Sequence, residues 1–130
     1  MKFIDALNYI ASKLKEEDDP AKKLVYIRYG IDLLFDIWRY TKDPIVYILF
    51  HCLVPSYNIL SGIARKGITP QENILPYINR MSSILLKAIS IVFGEKSAKN
   101  INKVMELIEH EAIPLENDLL DFRGASEFVF

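Results

Sequence analysis

From Pro44 to Ala64 the chain carries no Lys, Arg, Asp or Glu, and this run of 21 residues most constrains what it can become. It is long enough to cross a bilayer as a helix. Wound into a helix, however, it is not apolar all round. Ile45, Leu49, Cys52, Ser56, Ile59 and Ile63 form one seam, joined by Ile48, Leu53 and Leu60, while Tyr47, His51, Pro55, Asn58 and Arg65 fall on a narrow opposite edge. A lone span would leave His51 and Asn58 without polar partners in lipid. The other long apolar stretch, Met81 to Phe93, is interrupted by Lys87. The segment is therefore expected to be the central helix of a soluble bundle, covered by amphipathic neighbours, with no membrane partner.

Within that helix Pro55 cannot donate to the carbonyl of His51. A bend is expected there, in the first reading a structural kink with a satisfied histidine and in the alternative a small polar crevice beside His51, Tyr57 and Asn58 that takes a ligand.

The rest of the chain is clearly punctuated. Asp19–Pro20, Asp43–Pro44 and Thr69–Pro70 each place a capping oxygen directly before a proline. The cap accepts an orphan helix N–H, and proline at the first helical position has none to satisfy. Glu72, three residues after Thr69, completes a capping-box pattern, and Gly67 and Gly94 fit helix ends.

Between these marks apolar residues recur at helical spacing. The first helix is predicted over 2–16, with Phe3, Leu7, Ile10 and Leu14 on its inner stripe. The second is predicted over 20–41, with Leu24, Ile27, Ile31, Leu34 and Trp38 inward and Arg28, Asp32, Asp36 and Arg39 on the charged edge. Gly30, inside that helix, implies close approach of a neighbour. A helix over 70–93 has two stripes, Ile74, Ile78, Met81, Leu85, Ala88 and Val92, then Tyr77, Ile84 and Ile91, and should touch two neighbours. A fifth helix, 97–112, is expected to bury Ile101, Val104, Met105 and Ile108. A short sixth segment carries Leu115, Leu119 and Leu120 from Pro114, followed by a tail. No strand pattern, repeat or low-complexity segment is visible. The fold class is therefore all-α. The expected architecture is an antiparallel up-and-down helical bundle of four long helices plus short flanking helices, one domain over 1–130.

Composition agrees with a globular chain, at 51% hydrophobic and 25% charged residues. A net charge of −1 gives no general field for nucleic acid. One cysteine forms no internal disulfide and suits a cytoplasmic setting, and the N-terminal stretch has no signal-peptide core. A single Gln beside many Ile, Lys and Glu leans towards a thermophile-like composition. Charge is segregated: residues 1–104 hold 15 basic and 10 acidic side chains, and residues 105–130 hold 1 and 7. An acidic last helix lying against a basic bundle accounts for this.

Several chemistries are disfavoured. Zinc sites need several Cys or His ligands, whereas His51 and Cys52 point about 100° apart on a helix. Glu106 and His110 share a helical face near Glu109, Glu111 and Glu116, but no second half of a di-iron site exists. Cys52 lies on the apolar seam, where a thiol behaves as a small hydrophobe. No Gly-rich phosphate loop is present. Helical nucleases of the kind associated with nucleotidyltransferases and toxin pairs place an Arg several residues before a His, and neither His51 nor His110 has an Arg four to six residues before it.

No catalytic residue, metal or cofactor is therefore expected. The leading reading is a non-catalytic interaction module that self-associates or binds a protein partner. Its expected surfaces are Tyr26, Tyr29 and Tyr40 of the second helix and Phe128 and Phe130 of the tail. A bundle binding a small ligand or metal at Tyr47, His51 and Asn58 is the alternative, and an RNA-linked helical module without a nuclease motif the third.

Overall fold

The computed structural model describes residues 2–66, 71–94 and 98–127, all but a few of them helical. Helix α1 (Lys2–Glu16), α2 (Pro20–Thr41), α3 (Pro44–Lys66) and α4 (Gln71–Phe93) are followed by a continuous helical rod. That rod comprises α5 (Ala98–Leu107), a π-helical turn (Ile108–Ala112) and α6 (Ile113–Glu127). The all-α class and the long helices are as the periodicity predicts.

Proline and its neighbours set the helix starts that are described. Asp43 caps α3, its Oδ1 accepting from the Ile45 N–H at 3.0 Å. Asp19 has the extended backbone of a cap but makes no side-chain bond to α2. Its carbonyl accepts from the Lys23 N–H at 3.0 Å, so the backbone alone starts that helix. Thr69, Pro70 and Gly67 lie outside the described residues, and with them the expected capping box.

Between α2 and α3 the chain reverses in two residues. Lys42 takes a left-handed conformation (φ 56°), and its N–H donates to the Trp38 carbonyl at 2.7 Å. Thr41 Oγ1 donates to the Ile37 carbonyl and accepts from the Asp43 N–H. This tight link makes α2 and α3 an antiparallel pair.

One hydrophobic cluster draws side chains from every helix. Its centre is α4 rather than the charge-free α3. Among the described residues nine side chains of α4 are buried, against six of α3. Helix α4 touches α1, α2, α3, α5, α6 and the π turn, because its two apolar stripes face different neighbours. Helix α3 packs on α2, α4 and α6, with Val46, Leu49, Leu53, Ser56, Leu60 and Ile63 inward. The seam is therefore turned from the expected one: Val46 joins it, and Ile48 is 40% exposed.

Gly30 has the neighbour its position implied. A Cβ there would lie 2.6 Å from Cδ2 of Leu85, itself fully buried in α4. A methyl group in that space requires Leu85 to move, and the surrounding core leaves it little freedom.

The rod after residue 97 differs most from the expected two segments. Pro114 has no N–H to return to the His110 carbonyl, and its ring would crowd that carbonyl in an ordinary turn. Instead the chain widens: the Ile113 N–H bonds to the Ile108 carbonyl, five residues back. The helix continues through Pro114 and runs to Glu127. One extra residue in the turn shifts the phase of everything before it. Of the expected stripe of Ile101, Val104, Met105 and Ile108, Val104 is buried and Ile108 packs on the core, while Ile101 and Met105 are 55% and 50% exposed and Asn100 and Leu107 turn inward instead.

The acidic rod lies antiparallel to α4. Arg80 bonds Asp118 at 2.8 Å, and Lys87 bonds both oxygens of Glu111 at 2.7 Å. The two pairs share one register, seven residues forward on α4 and seven back on the rod. Both are partly exposed, so each contributes no more than about 1 kcal/mol. They account for the charge segregation as a packing feature.

The close approach of α2 and α4 is testable by denaturant unfolding. Gly30→Ala should lose about 1–2 kcal/mol, the overpacking cost exceeding the helix propensity gained. Leu85→Ala alone should lose about 2–5 kcal/mol. The double variant should lose clearly less than the sum, because removing the leucine makes room for the methyl. Additive losses would show that the two residues do not meet.

Candidate interaction surface

The two-residue turn brings a set of aromatic rings into register. On α2, Phe35 and Trp38 stand three apart; on α3, Tyr47, Phe50 and His51 occupy one face. The antiparallel pairing sets Trp38 against Tyr47 and Phe35 against Phe50, both with ring centroids 5.0 Å apart. Phe35 and Trp38 are themselves 5.9 Å apart. His51 closes the set, 4.2 Å from Tyr47 and edge-on to Phe50 at 5.1 Å. Tilted and edge-on rings at such distances each add about 0.5–1.5 kcal/mol beyond simple burial.

Two cations flank the rings. Lys42 Nζ stands 4.5 Å from the Trp38 centroid, and the Arg39 guanidinium 5.7 Å from that of Phe35. Tyr47 and His51 are exposed, and Phe35, Trp38 and Phe50 half-buried. Ile48 and Asn58 continue the open face along α3. The patch is rigid at its base, where Phe50 and Trp38 touch the core cluster, and open at its outer edge.

The sequence-derived sites divide accordingly. Tyr47 and His51 are in contact, but Asn58 lies about 10 Å further along the helix, on the same exposed side. These three side chains line an outer face of α3. Tyr26 is half-buried against the core, Tyr29 is exposed, and Tyr40 is exposed with its ring 6.0 Å from Phe3. Tyr29 and Tyr40 stand roughly 16 Å apart along α2, so they form no single patch with each other. Phe128 and Phe130 lie outside the described residues.

Sequence reasoning missed Phe35 and Phe50 and assigned Trp38 only to the core stripe. The signal was available. Aromatic residues at 35, 38, 47 and 50 are symmetric about the Lys42–Asp43 turn, which is the spacing an antiparallel hairpin superimposes.

Among the described residues no group of three or more His, Cys, Asp or Glu is placed to hold a metal ion. Glu106 and His110 sit on either side of the π turn's start, and Glu111 is engaged by Lys87. Helix α3 is the one described helix long and apolar enough to span a membrane, with a mean hydropathy of 1.4 over its most apolar window. No known protein family, curated protein or solved structure matches this chain.

Cys52 is the only thiol. Burial, which disfavours the thiolate, pushes its pKa from 9.0 to about 11, and a hydrogen bond within the backbone environment offsets this only in part. Its Sγ donates to the Leu49 carbonyl at 3.1 Å. A nucleophile needs the thiolate, and burial disfavours that form at neutral pH. Alkylation followed by mass spectrometry at pH 8 should proceed about 100-fold more slowly than for the unfolded chain, and should accelerate as pH rises towards 11. Equal rates in folded and unfolded protein would show an accessible, unshifted thiol.

Proposed function

We propose that the chain is a non-catalytic interaction module that pairs with a second copy of itself through the aromatic corner of α2 and α3. The observation that carries this reading is the stack of Phe35, Trp38, Tyr47, Phe50 and His51, fixed at its base and open on its outer side. Preorganised aromatic rings are effective interface anchors because little conformational freedom is lost when they are covered.

Charge favours an identical partner. In a two-fold contact each patch meets itself, so a patch of one fixed sign repels its copy. The face of α3 is free of acidic and basic side chains from Pro44 to Ala64. The adjoining end of α2 carries Asp36 as well as Arg39 and Lys42, so opposite signs are available to pair across the axis. Ile48 and Asn58 extend the surface towards the roughly 800 Å² per partner typical of a stable contact.

Trp38 is the single tryptophan and lies within the patch, so its emission reports directly on association. Sedimentation of the full chain over a range of concentrations should show a dimer, with Trp38 emission moving to the blue as it forms. Tyr47→Glu should give a monomer that keeps its helical circular dichroism, with a melting temperature lowered by the lost ring contacts to Trp38 and His51. Ile101→Glu, on the exposed side of α5 and outside the aromatic set, should leave the dimer intact. A monomer at every concentration would overturn the reading. So would a dimer that survives Tyr47→Glu, or a chain that floats with lipid vesicles and needs detergent to stay in solution.

A further inference from the structure

The C-terminal rod leaves an apolar face uncovered. Ile101 and Met105 of α5 and Ile113 and Leu120 of α6 are all exposed, between 39% and 55%. The first two stand one turn apart, and the last two stand two turns apart. Met105 and Ile113 are eight residues apart, whereas two ordinary turns take about seven. The π turn between them takes up the extra residue. The four side chains therefore fall on one line, roughly 28 Å long at 1.5 Å per residue. In a rod of ordinary pitch the α6 pair would lie about 100° around the axis from the α5 pair. The same turn keeps Val104 and Leu107 in line with Leu115 and Leu119 on the buried side.

The border of this stripe is acidic. By helical position Glu109 and Asp121 lie along one side of it and Glu116 along the other. Residues 105–130 hold 7 acidic side chains, of which Glu111 and Asp118 are engaged by Lys87 and Arg80 of α4. Among the described residues Glu109, Glu116 and Asp121 make no ion pair. Arg123 is the single basic side chain after residue 104, and it stands beyond Leu120 at the end of the stripe.

This charge selects the kind of molecule that covers the face. A second copy would set one acidic border against another, and like charges brought together across a contact are repulsive. A positively charged partner gains on both counts, since it buries the apolar line and compensates the carboxylates.

We propose that the stripe docks a basic amphipathic helix of a partner protein. The apolar face of that helix covers Ile101, Met105, Ile113 and Leu120, and its Lys and Arg side chains meet Glu109, Glu116 and Asp121. This surface is independent of the self-association proposed at the α2–α3 corner.

Fluorescence anisotropy with the full chain tests it. The probe is a labelled peptide of Leu and Lys, roughly 18 residues long, with Leu on one helical face. It should bind, and more weakly as salt is added. A scrambled peptide of the same composition, and a patterned one with Glu in place of Lys, should not. Met105→Gln and Ile113→Gln, on either side of the π turn, should each weaken binding about tenfold while keeping the parent's helical circular dichroism. Glu109→Gln combined with Glu116→Gln should weaken binding and flatten its salt dependence. Tyr47→Glu, outside the stripe, should bind as the parent does. Equal binding of the scrambled peptide, or full binding by either single Gln variant, would overturn the docking surface. So would a dimer lost on Ile113→Gln, which would assign the stripe to a second copy.

Discussion

The fold depends on α4 being sheathed on two sides. Its stripes meet different neighbours, so α2 and α3 gather on one flank and the C-terminal rod on another. That arrangement requires α2 to come very close, and Gly30 is the concession that permits it: the space a Cβ would occupy belongs to Leu85. Ion pairs from Arg80 and Lys87 then align the acidic rod along the remaining flank. They add direction more than stability, since partly exposed pairs contribute little. The hydrophobic contacts supply the energy, and the charges decide which way the last helix lies.

The charge-free helix shows that absence of charge and depth of burial are separate properties. Helix α3 has no fixed charge over most of its length, yet Tyr47, Ile48 and His51 face outward. Helix α4 carries Arg80 and Lys87 and is the more deeply covered, because those two side chains leave at its edge and pair there. An uncharged outer face therefore marks a surface suited to being covered, which is the physical basis for the self-association proposed at the α2–α3 corner.

Much of the fold was legible because proline and periodicity speak locally. Asp43–Pro44 states where α3 begins, and Leu7, Ile10 and Leu14 state which side of α1 is inward. The aromatic corner was less legible because it is a pairing between helices. Trp38 and Tyr47 look unremarkable until the turn at Lys42 makes them opposite one another. The rod after residue 97 was misread because Pro114 was taken as the start of a separate segment, whereas a π turn carries the helix through it. Local widening changes the phase of a helix without leaving any trace in its apolar composition.

That widening leaves α5 with two greasy edges at different angles around one axis. One edge, through Val104 and Leu107, is spent on the core; the other, through Ile101 and Met105, looks into solvent. Closing the wide turn to ordinary pitch would roll α5 about its own axis by the angle of one residue and exchange the two edges. The segment is thus written in two phases at once, and Pro114 selects between them.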